Sequence, residues 1–378
     1  MRIGITEWGS ISALGVSREL VRKHYQQPEH FLQWMEEFLC WGAPLQAEGE
    51  EALSRELPHA PRVVRLALVA ARLAVERAGW QPHTQEITLN MASARGATDT
   101  WERAHSNWFS GGQLAADTSP STTLGGIGST VSQELGLQGY SFGHSITCSG
   151  AAFAIANAVA WLRAGMATRI LAGGAEAPLT AFTVEQMKAL RIYSREDKPT
   201  YPCRALDVGK RENTMVLGEG AACFALETEP EQAQAWVAGL GYGQEPLPSA
   251  AGMQPDGQAL QRAMRKALDQ AGLSRPDVII PHAPGTRKGD RAERAALQAL
   301  FGENIPPLAS NKWKIGHTLG ASGALSLELA LLLLRDQAWC PQPGWIGQKP
   351  ESRMDSVLVN AAGFGGQAVS ILLKSVNS

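Results

Sequence analysis

The stretch Ser145-Ile146-Thr147-Cys148-Ser149-Gly150-Ala151-Ala152 indicates the fold and the chemistry of this chain. It places one cysteine between a strand-like segment, residues 140–147, and an apolar helical run, residues 153–162. A helix start offers free N–H groups and a partial positive charge, which favour a thiolate over a thiol. The pattern therefore predicts a nucleophile at Cys148. A small buried hydrophobic side chain is the alternative, because that is a common role of a free cysteine.

The composition excludes several classes of function. With 44% hydrophobic and 19% charged residues, the chain of 378 residues has the balance of a soluble globular protein with two packed halves. A net charge of −2 offers no basic surface for nucleic acid or a membrane. The five cysteines are scattered without a CxxC pair. We therefore expect a reduced, cytoplasmic protein without a structural zinc site.

Neither a leader nor a membrane span is predicted. The sequence runs from Met1 directly into a strand pattern, without the apolar core of a signal peptide. The longest apolar run, residues 324–334, contains Glu328 and is too short to cross a bilayer.

Working outward from Cys148, the second half of the chain repeats the first. A helical run over residues 66–79 ends at a glycine, and so does a run over 260–272. The small-residue opening of the Cys148 helix recurs over 320–329. These repeats predict duplicated α/β halves, residues 1–230 and 231–378, in a layered α-β-α-β-α arrangement. The active centre should lie where the two buried helix starts meet.

Two regions are less regular. Residues 26–60 are interpreted as loop and short helix, and residues 93–121 as a polar surface excursion. Strands are expected at 2–5, 87–92, 169–174, 218–226, 236–242, 278–281, 357–360 and 368–373.

Six motifs together carry a family resemblance. They are Ile5-Thr6 to Leu14-Gly15; Ile146-Thr147-Cys148-Ser149-Gly150; Gly218-Glu219-Gly220-Ala221; Gly285-Thr286; Lys312 with Gly316-His317 to Gly323; and Asn360 to Gly366. With these motifs in this order, the chain resembles the β-ketoacyl-acyl-carrier-protein synthases of the thiolase fold over essentially its whole length. The resemblance implies decarboxylative Claisen condensation. It implies no cofactor, since the substrates are carried on the phosphopantetheine of acyl carrier protein.

The resemblance also implies roles for individual residues. Cys148 would accept the acyl chain, and the backbone N–H groups of Cys148 and Phe364 would form the oxyanion hole. His317 would bind the thioester carbonyl of the malonyl extender, and Lys312 would orient it. A satisfied core histidine, a solvated lysine and a strand-closing aromatic side chain are the alternatives for His317, Lys312 and Phe364. Gly365, beside Phe364, would contribute to the substrate site.

One departure from the family pattern outweighs these matches. Catalytic members carry Asn-Ala-His-Gly-Thr, whereas this chain has His282-Ala283-Pro284-Gly285-Thr286. Proline has neither a side-chain donor nor an N–H. Losing one such donor costs about 10² to 10³ in rate. His282 is an uncertain substitute, because residues two apart in an extended segment are about 6.5 to 7 Å from each other.

Smaller departures lie nearby. The segment after Thr286, which would bind substrate, is shorter and more basic than the family's Thr-containing stretch that lines the pantetheine channel. Arg287 and Lys288 are either a solvated loop or a contact for a carrier protein or partner. Ser326 stands where the family often carries a glutamate.

The missing histidine suggests a chain-length-factor-like subunit, as found in heterodimeric polyketide systems, including those that make aryl polyenes. Such a subunit pairs with an active ketosynthase, so a heterodimer that also binds acyl carrier protein is expected. Many such factors have lost the cysteine, which this chain retains. Two alternatives stay open: a condensing enzyme that uses Cys148 and His317, and a carrier-protein scaffold without acyl chemistry.

Overall fold

The computed structural model describes residues 1–195, 200–246 and 252–377. The elements of its first half are β1 (Ile3–Ser12), α1 (Arg18–Gln26), β2 (Gln33–Met35), β3 (Cys40–Ala43), α2 (Ala47–Ser54), α3 (Arg62–Ala78), β4 (Thr88–Ala92), α4 (Thr98–Phe109), α5 (Thr118–Thr122), α6 (Gly126–Leu135), β5 (Ser141–His144), α7 (Gly150–Arg163), β6 (Arg169–Glu176), α8 (Ala181–Ala189), β7 (Leu217–Gly218) and β8 (Gly220–Thr228). Those of the second half are β9 (Ala235–Gln244), α9 (Gln258–Ala271), β10 (Val278–Ile280), α10 (Arg287–Phe301), α11 (Lys312–Ile315), a 3-10 turn (Leu319–Ala321), α12 (Ser322–Asp336), β11 (Ser356–Gly363) and β12 (Gln367–Lys374).

The strand order confirms the predicted duplication. In the first half the order is β5-β4-β6-β8-β1, with β4 parallel to β6 and with β8 antiparallel to both of its neighbours. The second half repeats this pattern as β10-β11-β12-β9. Short pairing of Gly4 with Trp236 and of Ile5 with Ala235 joins β1 to β9. Within the nine-stranded sheet of the described residues, the first half carries one further strand, β5, beyond the repeated four.

The helices form layers on the sheet because each of them buries apolar side chains against it. Helices α7 and α12 are buried in one core cluster together with residues from both halves of the sheet. Helix α3 packs on the other face of the first half, and α9 packs on the other face of the second half. This is the predicted α-β-α-β-α arrangement. The division of the chain at residue 230 stays a prediction.

The repeated helices also end alike. Helix α3 ends at Gly79 with φ 64°, and α9 ends at Gly272 with φ 63°. Both glycines adopt the left-handed conformation that closes a helix, which side chains with a Cβ disfavour. Both predicted helices and their terminal glycines are confirmed.

The two buried helix starts meet, as predicted. A Cβ added to Gly323 would lie 2.9 Å from the Cβ of Ala152. Helices α12 and α7 are therefore so close at this point that a side chain larger than that of glycine would clash. On the other side, the carbonyl oxygen of Gly320 lies 3.8 Å from the Cβ position of Gly150. The segments that precede both helices are therefore held close together.

The two less regular regions contain more structure than expected. Residues 93–121 include the 12-residue helix α4, and residues 26–60 include the β2–β3 hairpin as well as α2. Strand β3 pairs in parallel with β7, which comes from a distant part of the chain. In the part of the chain that the structure describes, no helix combines the length and apolar character that a membrane crossing needs.

Candidate active site

Cys148 lies in the connection between β5 and α7. Ser149 is the N-cap of α7, so the cysteine stands just outside the helix. Thr147 has φ 47°, an unusual conformation for a β-branched residue and one that is found at strained functional turns. Cys148 is half-buried and packs against an apolar cluster. The cluster consists of Cys40, Val184, Met187, Tyr193, Met215, Leu217 and Leu319.

The surroundings of Cys148 oppose the expected thiolate. Burial, followed by the nearby Glu176, raises the pKa of the Cys148 thiol to about 12, although Lys312 acts in the opposite direction. Desolvation therefore exceeds the stabilisation that a helix start provides. At neutral pH this cysteine is a thiol.

Glu176, which the sequence analysis did not single out, ties the site together. At the end of β6 its buried carboxylate accepts hydrogen bonds from the backbone N–H of Ala94 at 2.7 Å and of Gly320 at 2.8 Å. It also accepts from the Ser93 hydroxyl at 2.9 Å. These bonds fasten the turn before α12 to the loop after β4. A glutamate that follows Gly173-Gly174-Ala175 at the end of a buried strand was the available signal.

His317 lies on the other side of the site, in the loop before α12. Its backbone N–H donates to Val216 at 2.6 Å, and its carbonyl accepts from Gly218 at 3.2 Å. The residue is 2% exposed, and among the described residues its Nδ1 has no hydrogen-bond partner. Burial, followed by the charge of Lys312, lowers the pKa of His317 to about 3. The ring is therefore neutral.

Lys312 begins α11 and is almost completely buried. Burial lowers the pKa of its ammonium to about 8, while Glu293 acts in the opposite direction. The Nζ atom donates to the carbonyl of Pro281 at 3.5 Å. Lysine in this position supplies positive potential to both Cys148 and His317.

His282 contacts His317. Their ring centroids are 5.3 Å apart, and the rings are nearly perpendicular, at 83°. The His282 and Ala283 backbone N–H groups donate to the two carboxylate oxygens of Glu293, at 2.9 and 2.7 Å. Burial lowers the pKa of His282 well below its ordinary value, and His317 and Lys312 lower it further.

Beyond His282 the segment turns into α10. Pro284 is half-buried and precedes Gly285, whose φ of 92° is in the left-handed region. Thr286 is the N-cap of α10 and accepts from Gly289 N–H at 3.2 Å. Its hydroxyl oxygen therefore serves the helix, and its substrate role stays a prediction. Arg287 is exposed.

The glycine-rich turn after β11 reaches the nucleophile segment. Phe364 is 39% exposed, and its carbonyl accepts from the Thr147 hydroxyl at 3.5 Å. The Gln244 side chain donates to the carbonyl of Gly365 at 2.6 Å. The turn is thus held between β9 and the Cys148 segment, beside the residue whose backbone N–H would complete the oxyanion hole.

The structure brings Cys148, Lys312, His317 and His282 into one site. Within residues 1–195, 200–246 and 252–377, no cluster of three or more His, Cys, Asp or Glu side chains could hold a metal ion. The chemistry available is that of a buried thiol, two neutral imidazoles and an ammonium group.

Comparison with protein families gives two adjoining matches. The model described as Beta-ketoacyl synthase, N-terminal domain, matches residues 21–232. The model described as Beta-ketoacyl synthase, C-terminal domain, matches residues 234–345.

Individual relatives match along most of their length. The tetracenomycin polyketide synthase ketoacyl synthase alpha subunit of Streptomyces glaucescens is 29% identical over 361 residues, which is 86% of this chain and 84% of the relative. The structure of the ishigamide ketosynthase/chain length factor superposes with a TM-score of 0.88 at 20% identity, covering 99% of each chain. A ketosynthase in complex with its chain length factor from Xenorhabdus doucetiae gives a TM-score of 0.80 at 22% identity, covering 99% of this chain and 98% of that one.

Proposed function

Since this chain belongs to the β-ketoacyl synthase family, we propose that it is a chain-length-factor-like subunit of fatty-acid or polyketide biosynthesis. In this proposal it condenses weakly or not at all and pairs with an active ketosynthase. The partner performs the decarboxylative Claisen condensation, and this chain helps to shape the pocket in which the product grows. A role in aryl-polyene-like synthesis is the more specific form of the proposal.

Pro284 is the observation that carries the proposal. It occupies the position of a histidine that donates a hydrogen bond in catalytic members, and a proline ring offers no donor. Its neighbours Ala283 and Gly285 also lack side-chain donors. Without that donor we expect condensation to be slower by about 10² to 10³.

The state of Cys148 supports the same conclusion. Acyl transfer to cysteine needs the thiolate, and burial with Glu176 nearby keeps this residue protonated at neutral pH. A chain that neither forms the thiolate readily nor holds both donors is poorly equipped to condense alone.

The partner surface is proposed at the free edge of β5. Leu89 N–H donates to the carbonyl of Tyr140, and Ser93 N–H donates to that of His144, so these residues face β4. Because adjacent residues of a strand point their backbone groups to opposite sides, Ser141 and Gly143 direct theirs away from β4. An edge strand of this kind can pair with a strand of another chain.

Exposed aromatic side chains flank that edge. Tyr140, directly before β5, is 65% exposed, and Phe142, within it, is 42% exposed. Aromatic side chains are enriched at protein interfaces. The ishigamide and Xenorhabdus structures, each a ketosynthase with a chain length factor, support a ketosynthase as the occupant. Acyl carrier protein is the second proposed partner, with Arg287 and Lys288 as exposed basic contacts.

The decisive experiment is a condensation assay with malonyl- and acyl-carrier protein. It is run on this chain alone, on a candidate ketosynthase partner alone, and on both together. We expect product only from the mixture. That product should survive Cys148→Ala in this chain and disappear when the partner's own nucleophile is replaced by alanine. Product from this chain alone, abolished by Cys148→Ala, would refute the proposal.

A second candidate function has one observation in its favour. The centroid of the His282 ring lies 5.3 Å from that of His317. A second imidazole is therefore present in the site, although proline replaces histidine at position 284. A condensing enzyme that uses Cys148, His317 and His282 is the corresponding candidate, and condensation by this chain alone is its signature.

A further inference from the structure

Lys314 is a buried cation that lies outside the site described above. It is 1% exposed and follows Lys312 by two residues in α11. Successive residues of a helix are about 100° apart around its axis, so side chains two positions apart lie on opposite sides of the helix. Lys312 extends to the carbonyl of Pro281 in the site, whereas Lys314 extends to the end of α1. The two lysines therefore anchor the two sides of one short helix.

Three carbonyl groups surround the ammonium of Lys314. It donates to the carbonyl oxygens of Gln27, of His24 at 3.2 Å and of Glu29 at 2.7 Å. An ammonium group has three N–H donors, so these acceptors use all of them. His24 lies in the last turn of α1 and Gln27 is its C-cap. At a helix end the carbonyls lack intrahelical partners and a positive charge is favourable, so Lys314 caps α1.

Two aromatic rings complete the surroundings of this ammonium. It lies 4.5 Å from the ring centroid of Trp313 and 5.9 Å from that of Phe31. At such distances the face of an aromatic ring attracts a cation. Burial lowers the pKa of Lys314 to about 8, while Cys340 and Glu29 act in the opposite direction. At neutral pH Lys314 is therefore mostly an ammonium group and keeps its three donors.

Helix α11 depends on contacts of this kind because it is a single turn. Its four residues form too few backbone hydrogen bonds to be stable alone. On the side that faces α1, the Phe31 N–H donates to the carbonyl of Lys314 at 2.8 Å. The Asn311 side chain adds a contact with the Tyr25 hydroxyl in α1, at 3.4 Å. Both the backbone and the side chain of Lys314 thus fix this side of α11, and the position of Lys312 on the other side follows from it.

We propose that Lys314 is a positioning residue, whose ammonium clamps α11 to the end of α1 and thereby holds Lys312 in the site. Lys312 is the group that supplies positive potential to Cys148 and His317. Without the clamp, three carbonyl groups lack a donor and α11 is free to shift, which admits water to Lys312. The inference goes beyond the proposed function, because it concerns the position of Lys312 whether or not this chain condenses.

The test is an NMR titration of the full-length protein labelled with ¹³C at the ε-carbon of lysine. Lys312→Arg assigns the signal of Lys312 by its absence. In the wild type this signal should titrate near pH 8, because burial lowers the pKa of Lys312 to about 8. In Lys314→Met, which removes all three donors, we expect the pKa of Lys312 to rise by about 1 to 2 toward its ordinary value, because water reaches the ammonium.

Lys314→Gln separates the hydrogen bonds from the charge. Methionine and glutamine are both uncharged, but glutamine keeps two N–H donors. The pKa of Lys312 should therefore rise less in Lys314→Gln than in Lys314→Met. Lys23→Met, at an exposed position of α1, is the matched control and should leave the titration of Lys312 unchanged.

The unfolding temperature of each variant is measured in parallel. A purely structural role lowers this temperature and leaves the pKa of Lys312 near 8, and that result overturns the proposal. Equal titration of Lys312 in the methionine and glutamine variants overturns it as well, because the lost charge alone then explains the change. If Lys314→Met does not fold, Lys314→Gln is compared with the wild type, and an unchanged pKa of Lys312 overturns the proposal.

The outcome is independent of the condensation assay. If Lys312 keeps its titration in Lys314→Met, only the clamp is lost and the chain-length-factor role stands. If the ketosynthase condenses equally well without this chain, that role is lost and the clamp stands.

Discussion

At one edge of the nine-stranded sheet β5 lies open, whereas at the other edge β10 is covered by its own chain. Ile279 N–H donates to the carbonyl of Pro307 at 2.9 Å, and Ala309 N–H donates back to Ile279 at 3.0 Å. Among the described residues, none covers the edge of β5 in this way: Ser141 and Gly143 direct their backbone groups outward, beside the exposed Tyr140 and Phe142. Two halves built on one plan thus differ in whether the sheet can be extended by another chain.

The two halves also differ in the reactive and charged residues of their buried helices. Helix α7 follows a cysteine, and its buried residues are uncharged. Helix α12 follows His317 and buries Glu328 within the helix. The duplication therefore preserves the scaffold, while the charged and reactive groups differ between the two repeats. Changes at the free edge, at Cys148 and at Glu328 test these differences separately.

The largest effect is expected at the free edge. Ser141→Pro removes an outward N–H and adds a ring on the side where a partner strand would pair. We expect affinity for the ketosynthase partner to fall by about 10² to 10³, since a partner carbonyl is left unpaired and the strands are forced apart. Affinity is measured by titration of the purified subunits.

Ser141→Thr is the matched control, because threonine keeps the N–H and favours strands. The fold of Ser141→Pro should persist, since this N–H does not pair with β4. Wild-type affinity in the proline variant would show that the partner uses another surface.

A smaller effect is expected at the start of α7. With a pKa of about 12, Cys148 is far less ionised at pH 7.5 than a free cysteine. The higher nucleophilicity of a more basic thiolate offsets part of this difference, so iodoacetamide should alkylate Cys148 about 10²-fold more slowly than free cysteine.

Peptide mapping identifies the alkylated site, and the other four cysteines are buried. The rate should rise with pH through pH 9 without reaching a plateau. A plateau near pH 7 would mean that the helix start stabilises the thiolate after all.

Local sequence signals account for the parts of the fold that were predicted well. Helices α3 and α9 have clear apolar periodicity and a terminal glycine, and both were found. Strand β3 was missed because residues 26–60 have weak apolar periodicity, although it pairs locally with β2. Its second partner, β7, lies far along the chain, with Gly42 opposite Leu217. No local pattern records such a pairing.

The candidate site also has a part that the sequence predicted and a part that depends on tertiary packing. The family resemblance identified Cys148, Lys312 and His317, and Lys312 lies near both of the others. The spacing within the His282 segment did not reveal its contact with His317, because tertiary packing creates that contact. The helix start near Cys148 is visible in the sequence, but desolvation and Glu176 are not, and these raise its pKa.

The last effect concerns Glu328 in α12. Ser10 and Trp8 donate hydrogen bonds to its buried carboxylate, and burial raises its pKa to about 7 despite the positive charges of Arg18 and Arg77. The folded state therefore binds the proton more tightly than the unfolded state, whose carboxyl titrates near its ordinary value. Proton binding by Glu328 therefore stabilises the folded state. This stabilisation is fully present below about pH 4.3 and is lost as the pH rises through 7.

Glu328→Gln removes this titration and keeps an oxygen that can accept from Ser10. Above pH 8 we expect the variant to be more stable than the wild type by about 3 kcal/mol, and near pH 4 to be equally stable. Urea unfolding at both pH values measures the difference, with Glu134→Gln, at an exposed position, as the control. A variant that is less stable than the wild type at pH 8 would mean that the ionised carboxylate is stabilised in the fold by Arg18 and Arg77. In that case α12, unlike α7, would hold a buried charge that contributes to stability.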